Sequence, residues 1–339
     1  MNLMKTTDFA KHLTDFFTNY LPIVRNLSSN TISSYRDAFR LFLKFCQEVQ
    51  GIKAEKLCFH MIKKELLTDF LNWLESDRYC SIATRNQRLM AIHAFFKYVL
   101  IQEPAYMDIC QQILQVPSKK CHRSTIVHLT AEQTKELLHA PDSLKATGRR
   151  DRTLLSVLYD TGARVQELCD LKVCDVRLDH PEMITLTGKG RKTRNVPILG
   201  NTVILLRQYM VENNLLRNGH QAFPLFFNQQ RKKLTRGGVT YILQKYEAAI
   251  KQNHSSFPKR LTPHILRHSK AMHLYQAGVN LVYIRDILGH VDISTTDIYA
   301  RLDMESKRKI LEKAYPKITS DELPEWNQDN QLLDFLNSL

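Results

Sequence analysis

Apolar residues in the first hundred positions recur at intervals of three and four. One such series comprises Ile32, Tyr35, Phe39, Phe42 and Cys46. This spacing places all five side chains on one face of an α-helix, and Asn30 is of a residue type that caps helix N-termini. A helix with a single apolar face must bury that face against other elements, so this region has to fold by packing helices together.

Two further series extend the pattern. The first comprises Leu66, Phe70, Trp73 and Leu74, and the second comprises Ile82, Leu89, Ile92, Phe96 and Val99. Ser81 stands where it can cap the second of these helices. With another helix over about residues 7–21, residues 1–116 are predicted to form a small helical bundle.

The helical pattern stops at residues 117–129, a locally basic stretch that is typical of an interdomain linker. Thr130-Ala-Glu-Gln133 then resembles a capping box, the side-chain motif that opens a helix. It predicts the start of a second domain, which we expect to span residues 130–320.

The second domain is predicted to carry one β-hairpin. Met183–Thr187 and Arg194–Ile198 are short β-prone runs on either side of a Gly188-Lys189-Gly190 turn. A helix is expected from about Thr235 to Ile250. The predicted fold is therefore mainly α-helical, with a small β-sheet or hairpin in the C-terminal domain.

The charge balance favours a nucleic-acid partner. The chain has 48 Lys and Arg against 34 Asp and Glu, a formal net charge of +14, and such an excess raises the affinity for phosphates without selecting a sequence. No run of eighteen apolar residues and no secretory signal is present, so no membrane partner and a cytosolic location are expected. The seven scattered cysteines are expected to be reduced thiols.

Two residue pairs have a spacing that invites comparison with metal sites. His264 and His268 lie four apart, as in the helical motif of zinc proteases, but Ile265 stands where that motif requires Glu. Cys169 and Cys174 lack a second Cys or His pair at metal-like spacing. No metal is expected.

Six residues in the second half have side chains suited to breaking a phosphodiester. They are Arg164, Lys189, His264, Arg267, His290 and Tyr299. They lie in the phrases Thr-Gly-Ala-Arg-Val-Gln-Glu-Leu, Gly-Lys-Gly-Arg-Lys-Thr, His-Ile-Leu-Arg-His, Leu-Gly-His and Thr-Thr-Asp-Ile-Tyr-Ala-Arg. No single phrase would suffice, but the ordered set is specific.

The chemistry explains why these residue types occur together. A tyrosine phenol, with a pKa of about 10, is a weak nucleophile until its proton is removed or its developing charge is stabilised. Guanidiniums at Arg164 and Arg267 can clamp the phosphate, because their forked donors never deprotonate. Lys189 can protonate the leaving oxygen, His264 can bind the phosphate or accept the proton of Tyr299, and His290 can donate to a phosphoryl oxygen.

The ordered set resembles the catalytic box of the tyrosine recombinases, the lambda-integrase-like and Xer-like family. The resemblance implies an N-terminal SAM-like core-binding domain at 1–116 and a catalytic domain at 130–320, which close as a C-shaped clamp on DNA. It implies cleavage through a 3′-phosphotyrosine link and rejoining through a Holliday junction, with neither ATP nor a metal or other cofactor. The expected location is the bacterial cytoplasm, at the nucleoid.

Residues around the catalytic set are expected to support it or to contact DNA. Glu167, one turn after Arg164, is expected to orient that arginine or to form a local ion pair, and packing or hydrogen bonding best explains His268. The candidates for DNA contact are residues that no local motif singles out. They are Thr31, Arg36, Arg85, Arg88, Lys119, Lys120, Arg123, Lys192, Arg194, Lys233, Arg236 and Thr240. For Thr31, Arg36, Arg85 and Arg88, a solvated helix face explains each residue about equally well. Lys192 and Arg194 either solvate the hairpin or bind the DNA backbone, and the resemblance implies that the helix with Arg236 and Thr240 enters the major groove.

The C-terminal segment 321–339 carries an apolar stripe. Its members are Leu332, Leu333, Phe335, Leu336 and Leu339. As a helix it must bury this stripe, either on its own domain or, as the resemblance favours, on a neighbouring protomer. The resemblance implies a homotetramer on two duplexes with paired inverted-repeat core sites, acting alone or with a second recombinase or accessory protein.

Two alternatives belong to other function classes. A type IB topoisomerase shares the tyrosine chemistry but acts as a monomer, and the SAM-like bundle and apolar tail argue against it. A DNA-binding accessory protein without catalysis is disfavoured by the complete set of six residues. Among recombinases, integration, transposition and dimer resolution stay open, although the absence of an arm-binding domain before residue 7 favours an Xer-like or transposon enzyme.

Overall fold

The computed structural model describes residues 6–121, 127–251, 257–258 and 260–289, with no side chain described for Lys189. The chain divides into two compact units, Met1–Ser124 and Thr125–Leu339. The predicted tail helix lies outside the described residues. No helix in the described part of the chain is long and apolar enough to cross a bilayer.

The described part of the first unit is helical. It contains α1 (Asp8–Asp15), α2 (Ser29–Glu48), α3 (Lys64–Ser76), α4 (Ile82–Gln102) and α5 (Met107–Leu114). A π-helix, Phe16–Val24, follows α1 directly. The expected single helix over residues 7–21 is therefore two elements, and Pro22 lies inside the second, where it lacks the N–H of a regular helical hydrogen bond.

The caps of α2 and α4 test the predicted helix starts. Ser81 caps α4 as predicted, and its hydroxyl accepts a hydrogen bond from the backbone N–H of Thr84. The prediction for α2 was wrong: Ser28, not Asn30, is the cap and accepts from the N–H of Thr31. Both residue types are good caps, and the turn before the helix decided between them.

An aromatic cluster forms the core of the first unit. Phe95 of α4 lies at its centre, with ring centroids 5.2 Å from Phe39, 5.3 Å from Phe16 and 5.5 Å from Phe9, all in edge-to-face geometry. These four side chains are almost completely buried. The stripes read from the sequence therefore converge on one core, in the geometry that aromatic rings prefer.

The second unit combines seven described α-helices with one small sheet. The helices are α6 (Ala131–His139), α7 (Ala146–Thr161), α8 (Val165–Asp170), α9 (Gly200–Glu212), α10 (Arg236–Lys251), α11 (Pro263–Gln276) and α12 (Leu281–Leu288). Helix α6 begins with the predicted Thr130 capping box. Helix α10 confirms the helix expected from about Thr235 to Ile250.

The sheet contains the predicted hairpin. Strands β1 (Val176–Arg177), β2 (Met183–Thr187) and β3 (Thr193–Pro197) are antiparallel in the order β1-β2-β3. Ile184 pairs with Val196, and both face the core of the unit. β1 was not predicted, because two residues are too few to show an alternating pattern.

The packing of the second unit brings six elements together. α8 contacts β2, β3 contacts α12, and α11 contacts both α7 and α12. α7 ends at Gly162, which adopts a left-handed conformation with φ 55° and lies so close to α12 that a Cβ there would come within 2.7 Å of Leu288. The chain can therefore reverse next to α12 and present Arg164 at the start of α8.

Candidate active site

Arg164 is the residue from which α8 begins. Its backbone N–H donates to Oε2 of Glu167 at 2.9 Å, and its Nη1 donates to Oε1 of the same carboxylate at 2.8 Å. The Glu167 carboxylate thus caps the N-terminus of α8 and also binds the guanidinium of Arg164, which lies three residues earlier in the chain. Of the two roles expected for Glu167, the ion pair with Arg164 is present, and its function in orienting the arginine stays a prediction.

Arg267 lies on α11 and is only 3% exposed. Its Nη1 donates to the carbonyl of Gly162 and its Nη2 to the carbonyl of Leu288, both at 2.6 Å. A buried guanidinium requires such partners. The two bonds join the end of α7 to the end of α12 and hold the Arg267 side chain in one orientation.

Three arginines from three elements donate to consecutive carbonyls at the end of α12. Nε of Arg194 lies 2.8 Å from the oxygen of Ile287, Nη2 of Arg267 2.6 Å from that of Leu288, and Nη2 of Arg164 3.1 Å from that of Gly289. A helix leaves its last carbonyls without partners inside the helix, and cations there also interact favourably with its dipole. Arg164 and Arg267 are thereby brought to adjacent positions.

Glu167 is shared between two of these arginines. Besides its contacts with Arg164, its Oε1 accepts from Nη1 of Arg194 at 3.1 Å and its Oε2 from Nη2 at 2.7 Å. Burial by itself would raise the pKa of Glu167, but the hydrogen bonds and charge of Arg194 and Arg164 outweigh it and leave the pKa below its ordinary value. The carboxylate is therefore ionised at neutral pH.

The turn that carries Lys189 packs against this ion-pair network. The N–H of Gly188 donates to the carbonyl of Lys192 at 2.8 Å, and Gly190 adopts a left-handed conformation with φ 74°. A Cβ on Gly188 would lie 2.9 Å from Oε1 of Glu167. Glycine at 188 therefore lets the backbone before Lys189 approach the carboxylate that holds Arg164.

His264 lies in the first turn of α11, whose start is set by Pro263 and by the hydroxyl of Thr262. Partial desolvation, and then the positive charges of Arg267 and Arg164, lower the pKa of His264 below its ordinary value. His264 is thus predominantly neutral at pH 7 and can accept a proton or donate one hydrogen bond.

His268 follows one turn later and is half-buried, with its ring 6.2 Å from that of His264. Burial, followed by the charges of His264, Arg267 and His128, lowers its pKa to about 4. His268 is therefore neutral over the physiological range. Within the described residues, no group of three or more His, Cys, Asp or Glu is placed to hold a metal ion.

His290 and Tyr299 lie outside the described residues, as does Arg123. Of the six predicted catalytic residues, the structure thus brings together Arg164, Arg267, His264 and the backbone of Lys189. The end of α12, held by the three arginines, leads directly into His290.

Of the residues predicted to contact DNA, Arg85 is buried and Arg194 is half-buried, and each is held in an ion pair. Arg85 is 4% exposed and forms an ion pair with Glu75 at 3.1 Å. The side chain of Arg194 is 12% exposed and is engaged by Glu167 and Ile287. Sequence alone could not show either ion pair, because an arginine held by a carboxylate and an arginine on the surface look the same in a basic chain. Contact of these two residues with DNA stays a prediction.

The other described DNA-contact candidates are at least partly accessible. Arg36, Lys119, Lys120, Lys192, Lys233 and Arg236 are exposed, and Thr31, Arg88 and Thr240 are half-buried. Lys119 pairs with Glu75 at 2.7 Å and Lys233 pairs with Asp170. Their part in DNA binding stays a prediction.

The sequence of the second unit matches a known family. Residues 128–306 match the model of the phage integrase family, and residues 14–103 match that of the phage integrase N-terminal SAM-like domain. The chain belongs to the phage integrase family. The members are DNA strand-exchange enzymes, so this chain is a tyrosine recombinase, as the ordered catalytic set predicted.

Curated relatives extend over nearly the whole chain. The chain is 37% identical over 338 residues to the putative integrase/recombinase y4rC of Sinorhizobium fredii. The matched region covers 99% of this chain and 100% of that protein. It is 34% identical over 304 residues to the tyrosine recombinase XerD of Staphylococcus epidermidis, covering 89% and 97% respectively. These relatives favour a recombinase over a topoisomerase.

Solved structures share the fold at lower identity. The Tn1549 transposon integrase in complex with transposon right end DNA has a TM-score of 0.68 at 18% identity, covering 89% of this chain and 98% of that one. The XerH recombinase bound to palindromic difH substrate, a post-cleavage complex, has a TM-score of 0.63 at 24% identity, covering 86% and 80%. A mainly helical fold with a SAM-like domain and an integrase catalytic domain is thereby confirmed.

Replacing Glu167 by Gln should destabilise the second unit. The substitution removes the charge that two guanidiniums share, and we expect the free energy of unfolding to fall by roughly 1–3 kcal/mol. The difference should shrink as the pH falls below about 4, because a carboxylate with a lowered pKa contributes stability only where it is ionised. Chemical denaturation at several pH values measures this.

Glu212→Gln is the matched control for Glu167→Gln. Glu212 pairs with Arg149 at 2.5 Å in an exposed ion pair. Such pairs contribute about 0–1 kcal/mol. Equal losses in the two variants would show that burial of Glu167 does not matter.

The imidazole of His264 should titrate with a midpoint below 6.5 in the DNA-free protein. Arg164→Gln should move the midpoint upward, because one of two nearby positive charges is removed. NMR of the histidine ring resonances measures both, with His264→Gln to assign the signal. A midpoint at or above 6.5 in the unaltered protein contradicts the electrostatics derived from the structure.

Proposed function

We propose that this recombinase cleaves and rejoins DNA at paired inverted-repeat core sites through a 3′-phosphotyrosine intermediate and a Holliday junction. One observation carries the proposal: Arg164 and Arg267, from different helices, are held on adjacent carbonyls of α12 beside His264. The relatives named integrase, recombinase and XerD support the same reaction class.

Arg164 and Arg267 bind the scissile phosphate in this mechanism. Negative charge grows on the phosphoryl oxygens as the phosphorus is attacked, and donors already held in place stabilise it without reorganising. Both guanidiniums stay charged at any working pH. Their anchoring by Glu167, Gly162 and Leu288 keeps them in position before DNA arrives.

Proton transfers accompany the exchange of the two oxygens at phosphorus. Tyr299 attacks and forms the phosphotyrosine, and Lys189 protonates the departing 5′-oxygen. His264, neutral at pH 7, hydrogen-bonds the phosphate or receives the phenol proton, and His290 donates to a phosphoryl oxygen. A 5′-hydroxyl of the other strand reverses the step. Because each step exchanges one phosphodiester for another, no ATP is needed, and because the two guanidiniums and Lys189 supply the positive charge, the mechanism uses no metal.

Basic side chains of the linker and of the catalytic domain bind the DNA backbone. We propose that phosphates are contacted by Lys119, Lys120 and Arg123 of the linker and by Lys192, Lys233 and Arg236 of the catalytic domain. We propose that α10, with Thr240, reads bases in the major groove. On this proposal the two domains form a C-shaped clamp on the duplex. The enzyme then works where DNA is, in the bacterial cytoplasm at the nucleoid.

Recombination of two duplexes requires four active sites, so we propose a homotetramer in which residues 321–339 dock on the neighbouring protomer. The apolar stripe of this segment supplies the contact. Deleting residues 327–339 should abolish pairing of two duplexes while cleavage at a single site continues. Intact recombination by the shortened chain, measured as exchanged product on gels, would exclude docking in trans.

Tyr299→Phe should bind DNA but form no covalent complex. The test uses nicked suicide duplexes tiled from the DNA that flanks the gene, in which loss of a short strand traps the intermediate. An SDS-resistant protein–DNA band in the unaltered protein, absent in Tyr299→Phe, is expected, and chelators should not change it. If no fragment gives a band even with partner recombinases supplied, the chain has no cleavage activity.

The same duplexes test the acid assigned to Lys189. A 5′-bridging phosphorothiolate has a leaving group that needs no proton, so it should restore cleavage to Lys189→Ala but not to Tyr299→Phe. Lack of restoration would assign the proton to another residue.

A further inference from the structure

Arg194 is a half-buried cation that the proposed mechanism does not use. It lies on β3, five residues after Lys189, and its side chain is 12% exposed. Burying a guanidinium is unfavourable unless its donors are matched. All three of its nitrogens donate to partners in other elements: Nε to Ile287, and Nη1 and Nη2 to Glu167.

These contacts connect three parts of the site. Through Glu167, Arg194 shares a carboxylate with Arg164. Through Ile287, it holds α12 three residues before His290. Arg194 itself belongs to the hairpin whose turn carries Lys189.

The packing around Arg194 leaves little freedom. A Cβ added to Gly289 would come within 2.8 Å of Nη1 and 3.0 Å of Cδ and Cζ of Arg194. Gly289 also adopts a left-handed conformation with φ 65°, which favours glycine. The backbone next to His290 therefore packs directly on the Arg194 side chain.

We propose that Arg194 is a positioning residue for DNA cleavage: it holds the orientation of Arg164 through Glu167 and the position of the turn that leads into His290. This inference rests on the proposed function. Without Arg194, Glu167 loses one of its two cations and the end of α12 loses one of its three donors. Arg164 and the backbone of Gly289 are then no longer held relative to each other.

Arginine suits this position better than lysine. The guanidinium is a planar fork that bonds both carboxylate oxygens while its Nε reaches a third acceptor, whereas an ammonium is a compact point charge. Arg194→Lys keeps the charge but should lose part of this geometry. A residue that gripped DNA phosphates would instead tolerate the exchange well.

The experiment measures cleavage and binding separately. Single-turnover formation of the covalent complex is followed at saturating suicide duplex, and DNA affinity is measured at several salt concentrations. Arg194→Gln should slow cleavage on the order of 100-fold, the loss expected from a small misplacement of reacting groups. Its affinity and the salt dependence of that affinity should be unchanged, and Arg194→Lys should be intermediate in rate.

Two control variants show what no effect and a loss of DNA binding look like in the same assays. Arg177→Gln removes an exposed arginine of β1 in the same sheet and should leave cleavage unchanged. Lys192→Gln removes an exposed cation of the hairpin, and should weaken binding and reduce the salt dependence by about one phosphate contact. A loss of affinity in Arg194→Gln like that of Lys192→Gln would overturn the positioning role, as would cleavage at the unaltered rate.

A folding defect is separated from a positioning defect by chemical rescue. Methylguanidinium at millimolar concentration should restore part of the cleavage rate of Arg194→Ala, because it can donate to the Glu167 carboxylate and the Ile287 carbonyl in place of the missing side chain. Absence of rescue overturns the inference even if the variant is less stable. Failure of the unaltered protein to form any covalent complex would instead overturn the proposed function itself.

Discussion

The arrangement of the site depends on the ion pairs that the buried carboxylate of Glu167 forms with Arg164 and Arg194. It is 4% exposed and accepts hydrogen bonds from the backbone of Arg164 and from the side chains of Arg164 and Arg194. Arg164 and Arg194 both approach this one carboxylate, and two cations so close together repel each other. The ionised carboxylate between them offsets part of that repulsion.

The C-terminal end of α12 completes the arrangement. Its last carbonyls carry partial negative charge and have no partners within the helix, and the side chains of Arg164, Arg194 and Arg267 supply them. The carbonyls at the helix end are therefore a second set of acceptors, besides Glu167, for the three arginine side chains. Two glycines make the close approach possible, since Gly289 follows the last helical residue and Gly162 faces Leu288.

Local patterns in the sequence predicted four helices of the first unit and, in the second, α6, α10 and the hairpin, because short-range rules govern these elements. Ser81 and Thr130 were correct helix starts, since a cap needs only its own side chain and the next three residues. The hairpin around Lys189 followed from β-prone runs flanking a glycine turn. Asn30 failed as a cap because Ser28 satisfies the same rule two residues earlier, and only the path of the preceding chain separates them.

By itself the sequence determined the chemistry: the ordered set from Arg164 to Tyr299 names a family and a reaction, because side-chain identity alone supplies guanidiniums, an ammonium, imidazoles and a phenol. Only the tertiary structure decided which basic residues are available to DNA. Arg85 and Arg194 were predicted to contact DNA; in the structure Arg85 is buried and Arg194 half-buried, each in an ion pair. The carboxylates that pair with them lie on other elements, so no local sequence pattern reveals these ion pairs. The three consecutive carbonyls at the end of α12 can accept hydrogen bonds from the three arginines only after four distant segments have packed together.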